Sequence, residues 1–186
     1  MKTEELGILF DIQEDANIVV YLDIETMGLN AYTDRVTCIG LIISENNNIV
    51  YSKSIFNKNE EKLLKEFLKV YMKYKDRITE TVTWNGDKFD HNFLDVRCLK
   101  YGIRYKAINS EDIKNEFPKF MLGDTWRKPS LGDAINFLEI KDSKYGTGEE
   151  APYLFKHGKI DELKRYCLQD VKLLRKINIE LGRRGR

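Results

Sequence analysis

The first part of the chain has the apolar pattern of β-strands. Residues 17–25 form a short, β-branched run bounded by polar residues, and the run is apolar enough to lie at the centre of a sheet. Two further strands are predicted at 36–44 and 49–56. The connection between them, Glu45-Asn46-Asn47-Asn48, is short and turn-rich, as in an antiparallel hairpin. The pattern therefore predicts three antiparallel strands at the start of the fold.

Helical spacing replaces strand spacing from residue 59, where an apolar stripe follows the acidic first turn Glu60-Glu61. Residues 79–84 return to strand composition, and the polar stretch after them leads into a predicted helix at 90–101 that Gly102 ends. A short strand is predicted at 104–108. The middle of the chain thus alternates between helices and strands.

The last part of the chain predicts mainly helices. Residues 109–129 contain two prolines and a glycine, which break any long element, and a helix capped by Ser130 follows. Residues 141–152 are predicted to be a loop, and the broadest apolar stripe predicts a final helix at 161–182. This order of elements suits an α/β layered structure with a mixed sheet, and 186 residues suit a single domain spanning 1–186.

Composition excludes several classes of protein. Lysine plus arginine (31) nearly balance aspartate plus glutamate (30), so any nucleic-acid-binding surface must be local. Cys38, Cys98 and Cys167 are widely spaced and odd in number, which disfavours a disulfide framework and a zinc site and favours a reducing compartment. No apolar run is long enough to cross a membrane, and the acidic N-terminus is unlike an export signal. We therefore expect a cytoplasmic protein with no membrane association.

Two carboxylates follow the first strand at a spacing that places them together. Because side chains alternate across a strand, Asp23 and Glu25 point to the same face, while Leu22 and Ile24 point to the other. Like charges this close are unfavourable unless a cation or a proton relieves them. Alone, the pair is equally compatible with a solvated strand end.

Further acidic positions occur later in the sequence. Tyr166 and Asp170 are four residues apart on the predicted final helix, so both project from its apolar stripe, where an unpartnered carboxylate would be expensive to bury. Asp90 begins a predicted helix after Asn85-x-x-x-Phe89. Each has a simpler explanation by itself: a residue at the edge of the stripe, or an ordinary helix-capping aspartate.

Together, the three motifs resemble the DEDD superfamily of 3′-to-5′ exonucleases. Asp23-x-Glu25, Asn85-x-x-x-Phe89-Asp90 and Tyr166-x-x-x-Asp170 occur in the order and on the elements that this superfamily uses. The chain is similar to the proofreading domains of family B DNA polymerases and, in its later part, to YprB-type exonuclease domains. The tyrosine branch (DEDDy) fits, because the histidine branch needs a histidine where Arg165 stands.

The resemblance implies a ribonuclease H-like fold, with a mixed five-stranded sheet that starts with three antiparallel strands and carries helices on both faces. It implies that the four acids hold two divalent cations, Mg²⁺ or Mn²⁺, about 4 Å apart. Asp23 would bridge both ions, and Glu25 and Asp170 would complete the site of the ion that binds the attacking water. Asp90 would hold the other ion through water, and Tyr166 would orient the nucleophile.

The same resemblance suggests residues that contact the substrate. Thr26 and Met27 follow the first motif, where relatives meet the terminal nucleotide, and Asn85 and Phe89 belong to the second motif. Lys141 matches a lysine that could meet a phosphate, although a surface lysine is the simpler interpretation. Three aromatic residues are candidates for stacking on bases or, more simply, for the core: Trp84, Trp126 and Tyr153.

The predicted function is metal-dependent removal of nucleoside 5′-monophosphates from a single-stranded 3′ end of DNA or RNA. One alternative is a nucleic-acid-binding or accessory subunit of the same fold with weak catalysis. Another is a ribonuclease H-type endonuclease, which uses the same two-ion chemistry without requiring a terminus. Association with a separate polymerase or repair protein is also compatible with the sequence.

Overall fold

A computed structural model describes residues 17–142 and 150–185 of the protein. Its centre is a five-stranded mixed sheet in the order β3-β2-β1-β4-β5. The first three strands are antiparallel to one another, whereas β4 is parallel to β1 and β5 is parallel to β4. The predicted α/β class and the antiparallel start of the sheet are confirmed. The strands are β1 (Ile18–Thr26), β2 (Val36–Glu45), β3 (Asn48–Ile55), β4 (Ile78–Thr83) and β5 (Ser110–Asp112).

Helices cover both faces of the sheet. The two that precede β5 are α1 (Glu60–Tyr71), which continues into a 3₁₀ turn (Met72–Tyr74), and α2 (Asp90–Lys100). They pack on the even-numbered side chains of β1, such as Val20 and Leu22. The later helices are α3 (Leu131–Phe137), α4 (Glu150–Lys156) and α5 (Ile160–Arg183). Of these, α3 and α5 pack on the opposite face, where Tyr21 of β1 points.

A glycine lets α5 lie close to the sheet. Gly40 of β2 is the cross-strand partner of Asp23. A Cβ atom at Gly40 would lie 2.5 Å from Cγ2 of Val171 and 2.9 Å from the carbonyl oxygen of Cys167, both on α5. The missing side chain therefore sets the distance between α5 and the acidic end of β1.

The predicted strand at 104–108 is wrong. The strand that pairs with β4 lies later in the chain: Ser110 is the partner of Thr81, and Asp112 is the partner of Thr83. Residues 104–108 are an irregular connection, because Tyr105 is buried against the aromatic residues of α1 and the N–H of Ile108 donates to Tyr71 Oη at 2.9 Å. The apolar residues that suggested a strand are used for this packing instead.

Two boundaries and one further region also differ from the predictions. The loop predicted at 141–152 ends earlier, since α4 begins at Glu150, while residues 143–149 lie outside the described part of the chain. Gly182 does not end α5, which continues through Arg183. The stretch 109–129 contains a hairpin that was not predicted, β6 (Phe120–Leu122) paired with β7 (Thr125–Arg127), and a 3₁₀ turn, Ile113–Glu116.

Within residues 17–142 and 150–185, no helix combines the length and apolar character that a bilayer span requires. All three cysteines are buried free thiols. The N-terminal residues, on which the expectation about export rests, lie outside the described part of the chain.

Candidate active site

A cavity of about 660 Å³ opens at the carboxyl end of β1. The pairing of β1 with β4 ends at Tyr21, and β1 continues to Thr26 beyond it, so the cavity lies where the two strands separate. Five parts of the chain contribute to its walls: β1 with the loop after it, the segment between β4 and α2, the start of α2, α4, and α5. The lining residues include Asp23, Glu25, Thr26, Gly28, Leu29, Trp84, Asn85, Phe89, Asp90, Pro152, Tyr166 and Asp170.

Asp23 and Glu25 share the face of β1 that α5 covers, as the alternation of the strand predicts. Glu25 is 7% exposed, whereas Asp23 is half-buried. One carboxylate oxygen from each, together with Sγ of Cys167, lie within 4.8 Å of one another. Two carboxylates and a thiol thus converge on a volume that one metal ion would fill.

Helix α5 brings Tyr166 and Asp170 to the same cavity. Both side chains are buried, and their spacing of one helical turn directs them to one side of the helix. Burial raises the pKa of Tyr166, and the nearby carboxylates of Asp170, Glu25 and Asp23 raise it further. The Tyr166 phenol is therefore neutral and able to donate a hydrogen bond across the physiological pH range.

Asp90 reaches the site from the start of α2. Its Oδ1 accepts a hydrogen bond of 3.1 Å from the backbone N–H of Ile24, the residue between the two strand acids. Asp90 is 3% exposed, and burial raises its pKa to about 7, although the bond from Ile24 opposes the shift and Asp112 adds to it. A cation close to Asp90 would favour the charged form of this buried carboxyl group.

The donor set suits a hard divalent cation. Mg²⁺ and Mn²⁺ prefer oxygen ligands, and the site offers carboxylates from Asp23, Glu25, Asp90 and Asp170. A thiol is a poor ligand for these ions, and burial next to Cys38 raises the pKa of Cys167 well above its usual value, so this thiol stays protonated. The residues present therefore fit Mg²⁺ or Mn²⁺ held by the carboxylates.

The residues expected to contact substrate are only partly in the cavity. Thr26, Asn85 and Phe89 line it, and Asn85 adopts a left-handed conformation (φ 68°) that is stabilised by a 2.7 Å bond from its N–H to Asp112 Oδ1. Met27 and Lys141 do not line it; the N–H of Met27 donates to the carbonyl of Arg35, and Lys141 is exposed. Substrate contact remains a prediction for all five.

The three aromatic candidates differ in their surroundings. Trp84 lines the cavity and makes an edge-on contact with Phe117, with ring centroids 5.4 Å apart. Trp126 on β7 is 61% exposed, and Tyr153 on α4 is 52% exposed, so neither is a core residue. Sequence reasoning missed Leu29, which lines the cavity with 86% of its surface exposed; a large apolar residue just after the first motif was the available signal.

Sequence reasoning also missed a buried ion pair that holds the loop between β1 and β2, residues 27–35. Glu60 Oε2 lies 2.6 Å from Arg97 Nη2, and both side chains are less than 5% exposed. The same carboxylate accepts bonds from the N–H of Val36 and from Tyr101 Oη, and Arg97 Nη1 donates to the carbonyl of Ala31. The pair thus fixes both the middle and the end of the loop that begins at the acidic end of β1.

Comparison with known proteins identifies the class to which this fold and site belong. The family model of the RNase_H superfamily matches residues 20–181, and the chain belongs to this superfamily. Membership supports nuclease activity in general and a nucleic-acid substrate, and nucleases of this fold generally use divalent metal ions.

A solved structure has a fold similar to that of this chain. The chain is similar to the family B DNA polymerase of the hyperthermophilic archaeon Pyrobaculum calidifontis, with a TM-score of 0.66 and 16% sequence identity. The match covers 90% of this chain and 24% of the polymerase, so the chain spans about a quarter of that protein. No curated protein matches the chain by sequence.

Proposed function

We propose that the protein is a metal-dependent 3′-to-5′ exonuclease of the tyrosine branch of the DEDD superfamily, releasing nucleoside 5′-monophosphates from DNA or RNA. The observation that carries this proposal is the convergence of four acids and one tyrosine on a single cavity from three separate regions of the chain: Asp23 and Glu25 on β1, Asp90 on α2, and Tyr166 and Asp170 on α5.

The residues of the cavity divide the work of phosphodiester hydrolysis. Two divalent cations, when bound, activate a water and stabilise charge on the attacking and leaving oxygens. Asp23, Glu25, Asp90 and Asp170 would hold these ions with their carboxylates. Tyr166 is too weak an acid to serve as a base at neutral pH, so its hydroxyl orients the attacking water by donating a hydrogen bond.

The cavity also suits a strand end. Leu29 is exposed at its edge, and Phe89 and Trp84 line its wall, so an unpaired terminal base has apolar surfaces on which to pack. These features favour a terminal nucleotide over a continuous duplex.

The test is digestion of 5′-labelled single-stranded DNA and RNA with Mg²⁺, with Mn²⁺ and with a chelator. The expected result is a ladder shortening from the 3′ end that disappears with the chelator and with Asp23→Ala. Asp95→Ala, a change of an exposed aspartate on α2, is the matched control and should retain full activity. Full activity in Asp23→Ala would reject the site.

The same assay separates the two alternatives. A ribonuclease H-type endonuclease would cut internally and would act on a circular or 3′-blocked substrate, whereas the proposed enzyme would not. A binding or accessory subunit would retain the strand without shortening it in either metal. A blocked 3′ end that abolishes all cleavage would favour the exonuclease.

We further propose association with a separate polymerase or repair protein in the cytoplasm. The fold of the chain is similar to about a quarter of a family B DNA polymerase, which supports a role beside nucleic-acid synthesis, and three free thiols fit a reducing compartment. Co-purification from cells of the tagged protein with a polymerase, retained by the Asp23→Ala variant, is the expected result.

A further inference from the structure

A lysine cluster lies beside the candidate active site, on the side of the sheet where β5 is the edge strand. Lys114 Nζ, at the 3₁₀ turn after β5, lies 3.4 Å from the side-chain Oδ1 of Asn85, which lines the cavity. Lys128, at the end of β7, places its ammonium against the same turn, 3.2 Å from the carbonyl oxygen of Lys114. Lys88 is exposed on the turn that follows Asn85.

Lys88 and Lys128 each lie close enough to Lys114 to repel its ammonium group. Partial burial lowers the pKa of Lys114, Asp112 opposes that shift, and Lys88 and Lys128 lower the pKa further. Asp112 compensates only part of this charge, because it is buried and its Oδ1 already accepts bonds from the backbone N–H groups of Asn85 and Lys114. A phosphate group at the surface would relieve the remaining repulsion.

The hairpin β6–β7 extends this cluster away from the cavity. It exposes Met121, Leu122 and Trp126, and the guanidinium of Arg127 lies 5.4 Å from the ring centroid of Phe120. A two-stranded hairpin of this size is marginal by itself. It is held by Lys128, whose ammonium donates to two backbone carbonyls and one side chain of the turn at 114–115.

Two lines of contact connect the hairpin to the cavity. One is polar and runs from Asn85 through Lys114 to Lys128. The other is aromatic: Trp84, in the wall of the cavity, touches Phe117, and Phe117 lines a groove together with Phe120 of the hairpin and Phe137 of α3. Lysine ammonium groups and aromatic rings therefore both connect the cavity to the hairpin.

We propose that Lys88, Lys114 and the β6–β7 hairpin form a track that binds the substrate strand on the 5′ side of the scissile phosphate. The track rests on the proposed function: if the terminal nucleotide occupies the cavity, the rest of the strand must leave it on one side. Lysines beside the cavity suit its phosphates, and exposed aromatic rings suit unpaired bases. The occupant is therefore a single strand of nucleic acid, since the bases of a duplex are already stacked and paired.

The experiment measures binding first, so that it does not depend on catalysis. Fluorescence anisotropy in the presence of a chelator gives the affinity of a labelled single-stranded DNA or RNA at several salt concentrations. Lys88→Gln/Lys114→Gln should lower the slope of log affinity against log salt by about 0.7 for each lost phosphate contact and weaken binding about tenfold or more. The control, Lys53→Gln/Lys65→Gln, removes the same charge from exposed positions on β3 and α1 and should match the wild type.

Trp126→Ala tests the aromatic half of the track without touching the lysines. Because its side chain is mostly exposed, the substitution should leave the melting temperature unchanged. Loss of one stacked base should weaken binding by about fivefold or more. Leu99→Ala, at another exposed apolar position, on α2, is the control.

Activity then separates the track from the proposed function. The kcat/KM values of two substrates are compared: a single-stranded oligonucleotide and a nucleoside 5′-(p-nitrophenyl phosphate), which has no upstream phosphate. In the lysine variant, the ratio of the first value to the second should fall about tenfold or more. A wild type that binds the strand but cleaves neither substrate overturns the proposed function and leaves the binding test intact. Unchanged affinity and salt slope in the lysine variant overturn the track, and unchanged affinity in Trp126→Ala overturns its aromatic half.

Discussion

Asp90 accepts a hydrogen bond from the backbone N–H of Ile24, the residue that separates Asp23 from Glu25. The carboxylate at the start of α2 is therefore fixed to the strand that carries the other two acids. One of its oxygens has a structural partner, and the other can serve a bound ion. Charge and geometry at Asp90 can be separated experimentally for this reason.

Asp90→Asn should keep the bond to Ile24, because an amide oxygen also accepts, while removing the charge. We expect activity to fall about 10- to 100-fold, as it does when an outer-shell metal partner is lost, with little change in stability. Asp90→Ala should lose activity and also about 1–3 kcal/mol of unfolding free energy, since the buried N–H of Ile24 loses its partner. Urea unfolding and the nuclease assay distinguish the two; equal stabilities would contradict the structural role.

Tyr166→Phe removes the hydroxyl and keeps the ring. A hydrogen bond to a charged group is worth about 1.5–3 kcal/mol, so we expect kcat to fall about 10- to 100-fold. Because the pKa of Tyr166 is raised, its ionisation should not limit the rate on the alkaline side. The pH profiles of the wild type and Tyr166→Phe should thus have the same shape up to pH about 9, and an alkaline limb lost in the variant would assign a base role to this tyrosine.

Gly40→Ala adds a methyl group where α5 contacts the sheet. We expect a loss of about 1–3 kcal/mol of unfolding free energy and a loss of nuclease activity, because α5 must shift and it carries Tyr166 and Asp170. Gly132→Ala is the control: a Cβ there would lie 3.8 Å from Ser130 Oγ, an ordinary contact, and this change should be neutral or stabilising by about 0.5–1 kcal/mol. Adding Val171→Ala to Gly40→Ala should recover part of the activity, because it makes room for the new methyl group. If the losses from the two substitutions simply add, that result would argue against the contact between residue 40 and Val171.

The buried pair of Glu60 and Arg97 predicts a pH-dependent stability. Burial alone would raise the pKa of Glu60, but bonds from Arg97, the N–H of Val36 and Tyr101 outweigh it and hold the pKa below its usual value of 4.5. A lowered folded pKa stabilises the protein above the unfolded pKa, and this contribution is lost as the pH falls through the folded value. Glu60→Gln should therefore cost about 3–5 kcal/mol near neutrality and progressively less as the pH falls below 4.5.

Its control is the neighbouring residue on the same helix. Glu61 is partly exposed and pairs with Lys65 four residues later, so Glu61→Gln should change the unfolding free energy by less than about 1 kcal/mol at every pH. A difference between the wild type and Glu60→Gln that stays constant down to pH about 3 would contradict the lowered pKa.

Metal binding should stabilise the folded protein. An ion that binds only the native state raises the unfolding free energy by about 2.7 kcal/mol at a concentration one hundred times its dissociation constant. Mn²⁺ or Mg²⁺ should thus raise the Tm of the wild type, and a chelator should reverse the rise. Asp23→Asn should show no such rise, while Asp95→Asn, the exposed control, should behave as the wild type; a metal-induced shift in Asp23→Asn would place the ion elsewhere.

Local sequence patterns were enough to predict which candidate residues lie side by side, because each pair depends on a short-range rule. The alternation of a strand places Asp23 beside Glu25, and one helical turn places Tyr166 beside Asp170. Bringing these pairs together is a tertiary event, and the resemblance to a known superfamily supplied that step. The same rules explain why the fold class could be predicted. Apolar strands and helices with one apolar stripe can pack together in only a few layered arrangements.

The features that were missed involve contacts between residues far apart in sequence. Glu60 has the pattern of a solvated acid in the first turn of a helix, yet its partner Arg97 lies 37 residues later. Gly40 is an ordinary strand residue until α5 packs against it. The strand predicted at 104–108 failed for a related reason: Tyr105 packs against α1, a competition that local propensity does not include.

The order in which the acids occur along the polypeptide has a consequence for synthesis in the cell. Asp170 lies on α5, the last element of the described chain, and it docks on β1, the first. A ribosome makes the strand acids early and their helical partner late, so an unfinished copy of the protein lacks a complete centre.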